Sequence, residues 1–235
     1  MDELAADTVG LLEGITTTRA IRRYRDEPVP DDVLRDILFA ATRAPSGSNR
    51  QPFRFLVLTD GAAARAAKAL LGQAARTAWE GKRERDQYDS GSGAVADSPK
   101  ARLGRTMQQF VDRFDEVPVL VLPCLVRYRE ASSFEGASVY PACQNLLLAA
   151  RALGYGGAFS GWSFLVEDEL HALLGIPDHV FIAGTISLGR PEGAHGPVRR
   201  RPMAELVYGD AWGEAPTWAI DPPGTAFTSA GPPRG

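Results

Sequence analysis

The sequence predicts an α/β or α+β sandwich formed as a single domain over residues 1–235, and three features carry that expectation. Helix-forming stretches alternate with short β-forming runs along the 235 residues. The run 117–126, V-P-V-L-V-L-P-C-L-V, is apolar on both faces, as a strand covered from both sides would be. The segment 139–153 is helix-forming and apolar almost all round. No internal repeat is present, and a chain of this length buries a full core without disulfide or metal staples.

Taken in order, Leu4, Leu11, Leu12 and Ile15 form an apolar stripe that predicts a short helix within residues 1–16, with Gly14 near its end. Val33, Leu34, Ile37, Leu38 and Ala41 recur on one face of a second helix. Pro28 and Pro30 stand at its entrance, Asp31 and Asp32 in its first turn, and Arg43 in its last turn, as the helix dipole favours; Pro45 stops it. The apolar run 53–58 reads as a buried strand closed by Asp60-Gly61. An Ala-rich helix follows at 62–79. The charged, Gly/Ser-interrupted stretch 80–100 is too polar to bury much surface, so no regular structure is expected there, and 80–105 reads as a mobile lid.

Pro118 and Pro123 each remove a ladder donor, which puts an end of the 117–126 strand at a sheet margin or a bulge. The helix at 139–153 is either a central core helix or one covered by a second subunit, and Gly154 ends it before a glycine-rich stretch. An amphipathic helix at 166–175, a strand at 180–188, a short last strand at 205–208 and an extended Pro/Gly-rich tail at 213–235 complete the chain.

Bulk properties exclude several classes. A formal charge of −3 with mixed signs gives no case for nucleic acid or a membrane surface. No run approaches the ~18 apolar residues of a membrane span, so the expectation is a cytoplasmic protein. Cys124 and Cys143 are too few for a disulfide scaffold and lack metal or redox spacing; both read as reduced, buried and inert. His171, His179 and His195 have no ligand spacing, so no metal is expected.

Three polar groups remain for chemistry: Arg19, Arg22 and Arg23; Ser46, Gly47, Ser48, Asn49 and Gln51; and Arg199, Arg200 and Arg201. Guanidinium forks match phosphate oxygens, so the two arginine clusters either converge on one phosphate or are solvated charge runs. The polar turn either joins a helix to a strand or brings small residues and backbone amides against a planar ring. Tyr88, Phe110, Tyr128 and Phe159 either stack on an aromatic substrate or belong to the core.

T-R-A-I-R-R-Y with P-V-P behind it, then A-P-S-G-S-N-R-Q-P-F, Q-N-L-L-L-A-A-R-A-L-G-Y-G-G, L-L-G-I-P and R-R-P-M-A-E-L-V, stand in the order of, and resemble, the motifs of the nitroreductase-like flavoprotein family. The likeness covers most of residues 15–213 and is poorest at 75–115. It implies an α+β sandwich with a central, mostly antiparallel sheet flanked by helices, an intertwined homodimer, and FMN in sites at the dimer interface. It further implies Arg19 and Arg22 at the flavin phosphate and ring edge with the backbone of Ala20, and Arg199, Arg200 and Arg201 on the phosphate in either of two registers. Pro45, Ser46 and Ser48 would line the flavin from the partner subunit, and Ser160 and Gly161 would face its ring. Thr18 and Ala20 depart from the Arg and Ser of many members. The implied activity is hydride transfer from NAD(P)H to a small aromatic or conjugated acceptor, a nitroarene or quinone, by a ping-pong mechanism, with flavin rather than a catalytic side chain supplying the chemistry. Tyr88 and Phe110 are the substrate and lid candidates. Alternatives are a reductive dehalogenase or flavin-modifying enzyme of the same superfamily, or a non-catalytic flavin carrier.

Overall fold

The computed structural model describes residues 7–228. Five strands form one antiparallel sheet: β1 (Phe53–Leu58), β2 (Val119–Val126), β3 (Gly156–Ser160), β4 (Val180–Ile182) and β5 (Thr185–Gly189). Their order is β1-β2-β5-β3, with β4 paired to the far half of β2. The chain is therefore an α+β sandwich, with helices on both faces of the sheet.

Strand β2 sets those faces, because alternate side chains of a strand point to opposite sides. Val119, Val121 and Leu125 join a core with residues of α2 (Asp31–Ala41) and α5 (Tyr140–Ala152). Leu120, Leu122 and Cys124 join the opposite core with α3 (Ala62–Arg85), α4 (Pro99–Asp112) and α6 (Glu167–Leu174). Burying each large aliphatic side chain contributes roughly 1.5–3 kcal/mol, so this one strand outweighs any surface ion pair. The two free cysteines lie in these cores, where burial pushes their thiols up to about 11 for Cys124 and about 12 for Cys143.

Pro123 stands where the neighbour of β2 changes. Val119, Leu120 and Val121 pair with β5, and pairing with β4 begins at Cys124. At the junction the Pro123 carbonyl accepts from the Ala183 N–H at 2.8 Å. The donor that proline lacks thus falls at the break, the place where a ladder tolerates its loss. The same break divides the strand expected at 180–188 into β4 and β5, with Gly184 between them at φ 152°.

Other boundaries differ from expectation. The first helix, α1, is Leu11–Thr17; Leu4 lies outside the described residues. Helix α2 ends at Ala41, so Arg43 lies beyond its last turn and Pro45 is not its immediate stop. Strand β1 is an edge strand, buried at Phe53 and Leu58 and only half-buried between Phe55 and Val57. Helix α3 runs on to Arg85, and α4 begins at Pro99, so the stretch 80–100 has regular structure at both ends. Ser98 caps α4 by accepting from the Ala101 N–H at 3.0 Å, and Ala101, Phe110 and Val111 are its buried side. In place of the strand expected at 205–208, Met203–Glu205 form a 3₁₀ turn. The Arg201–Glu205 pair one turn apart and the Asp221 carboxylate on the Met203 N–H favour that turn. The tail from 213 to 228 has no helix or strand; its Phe227 bridges to Arg200.

Strand β3 is the element that the glycine-rich sequence concealed. A Cβ on Gly157 would lie 2.4 Å from the Ser187 carbonyl oxygen, and one on Gly156 2.6 Å from Ile21 Cγ1. Gly156 lets the basic segment after α1 lie close against the edge of the sheet, and Gly157 lets β3 lie close against β5.

Candidate functional site

The segment 19–25 runs beside the start of β3 and the end of β5. The Ile21 N–H donates to the Gly157 carbonyl at 3.0 Å, the Arg25 N–H to the Arg190 carbonyl at 2.9 Å, and Tyr24 bridges to Pro191. Tyr24 is the anchor: its buried hydroxyl lies 2.6 Å from the Ile21 carbonyl and 2.8 Å from Ser187 Oγ, and burial raises its pKa. Between these tethers the arginines are held in place by main chain, leaving their side chains available.

Arg19 is exposed and reaches the Ala194 carbonyl at 2.8 Å. Arg22 is half-buried and lines a cleft of about 350 Å³ with Tyr24, Gln109, Phe110 and Arg113. Burial holds its guanidinium below the ordinary arginine value, against the pull of Tyr24 and Tyr88. Among the described residues neither Arg19 nor Arg22 has a carboxylate within ion-pair distance.

The second arginine cluster starts near the first, because the Val198 N–H donates to the Thr16 carbonyl at 3.2 Å and His195, a few residues earlier, lies 3.0 Å from the carbonyl of Tyr155, just before β3. Arg199 and Arg200 are exposed and carry no ion pair among the described residues. Arg201 is tied to Glu205 through Nε at 2.9 Å. The three consecutive arginines are therefore unequal: two are open to a ligand and the third has a carboxylate.

Ser160 ends β3, with its hydroxyl 3.4 Å from the Thr185 carbonyl, and exposed Gly161 follows it. Close by in sequence and pairing, the buried hydroxyls of Ser163 and Thr185 have no hydrogen-bond partner. Nothing in the sequence distinguished those two. The exposed Ala20 lies between Arg19 and Ile21 on the same tethered segment.

Pro45, Ser46 and Ser48 are elsewhere. They belong to the turn before β1, at the opposite edge of the sheet from β3. Three strand spacings separate the edges, roughly 14 Å. Ser48, Asn49 and Gln51 all have positive φ, at 52°, 52° and 49°, a cost of about 1 kcal/mol or more each. Ser46 Oγ accepts from the Gln51 N–H at 2.9 Å and closes the turn, while Ser138 Oγ receives the Gly47 N–H at 3.4 Å. The cluster of strained residues includes Asn49 and Gln51, which the motif alone did not rank above their neighbours; Asn tolerates the left-handed region best.

The aromatic candidates divide. Phe110 is 4% exposed and packs on Phe114 and Trp162, so it is core that floors the cleft. Tyr88 is half-buried, edge-on to Trp79 at 4.9 Å, and Gly104 leaves room for its ring. Arg83 grips Asp89 at 2.8 and 2.9 Å beside it. Tyr88 thus fastens the irregular stretch between α3 and α4 to both helices. Tyr128, under the Arg50 guanidinium, and Phe159, edge-on to Tyr140, are exposed. Among the described residues no group of three or more His, Cys, Asp or Glu could hold a metal ion, and no helix is long and apolar enough to cross a membrane.

The pattern of the nitroreductase family matches residues 15–190. A Thermus thermophilus protein named NADH dehydrogenase is 31% identical over 210 residues, covering 80% of this chain and 90% of the relative. The chloronitrobenzene nitroreductase of Comamonas testosteroni is 30% identical over 195 residues, 74% of this chain and 84% of that protein. A Desulfovibrio desulfuricans protein described as a nitroreductase, crystallised in complex with FMN, superposes with a TM-score of 0.61 at 28% identity, covering 87% of this chain and 98% of the other.

Proposed function

The chain belongs to the nitroreductase family, and from that premise we propose that it is an FMN-dependent oxidoreductase that passes hydride from NAD(P)H to a small aromatic or conjugated acceptor. The observation that carries the reading is the pair of arginine clusters at one end of β3, with Ser160 and Gly161 at the other. Strand β3 rises ~3.3 Å per residue, so its five residues span the length a mononucleotide needs between phosphate and ring.

The residues present fit FMN. Arg19, Arg199 and Arg200, which have no carboxylate partners among the described residues, offer guanidinium groups to a phosphate, and Arg201 takes a supporting place because Glu205 holds it. Arg22, desolvated and without a carboxylate within ion-pair distance among the described residues, adds positive charge beside Arg19. Ser160 and Gly161 present main chain at the open edge of the sheet. When bound, FMN supplies the hydride chemistry. The task of the residues at this edge is to bind, orient and stabilise charge.

The turn at 45–51 is too far away to complete this site within one chain, so on this reading a second copy supplies Pro45, Ser46 and Ser48. Leu11, Leu12, Ile15 and Phe39 expose an apolar surface on α1 and α2, which pack against α5, and a homodimer would cover it. The relatives' names favour a nicotinamide reductant and a nitroaromatic acceptor. Reductant and acceptor would occupy one open place in turn, which gives ping-pong kinetics.

The test is steady-state oxidation of NADH and NADPH by the FMN-loaded protein with a nitroarene and a quinone. Parallel double-reciprocal lines are expected; intersecting lines would overturn the alternating order, and no oxidation of either nucleotide would leave a flavin carrier.

A further inference from the structure

We propose that the cleft between the end of α5 and the loop after β5 binds a phosphate-class dianion, held by Arg25, Arg151 and Arg190 beside His195. The cleft has a volume of about 310 Å³, and no carboxylate lines it. Arg199 and Arg200 are not among its lining residues, which distinguishes it from the phosphate position proposed above. Arg19 adjoins its wall through the Ala194 carbonyl.

Its cations are placed by the fold. Arg190 lies over the Tyr155 ring at 4.7 Å, donates to the Tyr155 hydroxyl at 3.0 Å and pairs with Glu27. Arg151, in the last turn of α5, reaches Thr17 Oγ1 at 3.3 and 3.4 Å and Glu13 only at 3.8 Å. Arg25 is exposed and has no carboxylate within ion-pair distance among the described residues. The Arg25–Arg190 main-chain bond fixes these two arginines as neighbours. Three guanidinium groups against the one close carboxylate of Glu27, with Glu13 at 3.8 Å, leave positive charge over, which suits a phosphate ester carrying about −1.5 to −2 at neutral pH.

His195 reports on that charge. Its Nε2 lies 3.0 Å from the Tyr155 carbonyl, so that nitrogen carries the proton, and its Nδ1 is buried without a partner. Burial, then Arg151 and Arg19, hold its pKa below the ordinary imidazole value, against the Tyr155 carbonyl, which raises it. A dianion among these arginines would cancel the repulsion and raise it.

On the proposed function the dianion is the 2′-phosphate of the reductant; free phosphate is the other source. The experiment titrates the FMN-loaded full chain with inorganic phosphate, 5′-AMP and 2′,5′-ADP by calorimetry, while NMR follows the His195 imidazole, assigned with His195→Gln. Saturable binding that raises the His195 pKa and falls about tenfold in Arg25→Ala and Arg151→Gln, with FMN content unchanged, is the expected result. Tighter binding of 2′,5′-ADP than of 5′-AMP identifies the nucleotide as source; equal binding of all three supports the cleft with free phosphate as source. Absence of binding at millimolar concentration, or binding indifferent to both substitutions, overturns the proposal. Loss of FMN from Arg25→Ala also overturns it, by making the cleft part of the flavin site. Should the protein take up no FMN, the functional reading fails, and phosphate binding by the purified chain still decides the cleft.

Discussion

The two edges of the sheet differ in how they carry their motifs. At the β3 edge the basic segment is fastened by main-chain bonds from Ile21 and Arg25, and by the buried Tyr24 hydroxyl, so that its arginines are displayed from a rigid support. At the β1 edge the turn 45–51 is exposed, contains three non-glycine residues with positive φ, and is closed by a serine hydroxyl. Neighbouring motifs in sequence are thus at opposite edges in space. The difference teaches that one edge is built as a cradle and the other as a projecting arm, and in the proposed site only a second copy can bring arm to cradle.

The largest effect should come from disturbing the cradle. Gly157→Ala places a Cβ against the Ser187 carbonyl, which must move, and should cost about 1–3 kcal/mol in urea unfolding together with much of the bound FMN. Gly47→Ala at the arm has its nearest neighbour 3.9 Å away and should change stability by no more than about 0.5 kcal/mol. Equal effects at the two positions would remove the distinction between the edges.

Next in size are the arginines. Arg19→Ala, Arg22→Ala and Arg199→Ala should each weaken FMN binding by about 1.5–3 kcal/mol, the range of a charge-assisted hydrogen bond. Arg201→Ala should weaken it less, because Glu205 already engages that side chain. Fluorescence titration with FMN checks the order, and an unchanged dissociation constant removes the residue concerned from the site.

Much of this arrangement was legible in the sequence. The helix around 31–41 has clear helical periodicity, the strands at 53–58 and 119–126 are apolar runs, and the helix around 140–152 is helix-forming and apolar almost all round; packing left them where pattern put them. Strand β3 was hidden because its glycines, needed for close approach, carry no β-propensity signal. Helix α4 was hidden because Gly104 and many charges interrupt a pattern that only tertiary contact completes at Phe110 and Val111. The arginine clusters could be found as types, but that Arg201 is engaged and Arg199 is not depends on Glu205 folding one turn away.

A smaller effect concerns acid. Arg127 makes a two-pronged pair with Glu135 at 3.0 and 2.7 Å, beside Ser138, which receives the turn. The Arg127 hydrogen bonds hold the Glu135 carboxyl below the ordinary carboxylate range. A folded-state value below the unfolded one stabilises above about pH 4.3 and is lost as pH falls through the lowered value. Glu135→Gln should cost about 1 kcal/mol at neutral pH and flatten that acid dependence, as thermal melts across pH would record.

The central claim is that a cradle from one chain meets an arm from another. Arg19→Ala/Arg199→Ala protein and a protein with residues 46–48 replaced by bulky side chains should each retain little FMN. Unfolded together and refolded as a mixture, they should form mixed dimers with one intact site, and bound FMN should recover to one per mixed dimer. Recovery no greater than the average of the two separate variants would contradict a site shared between chains.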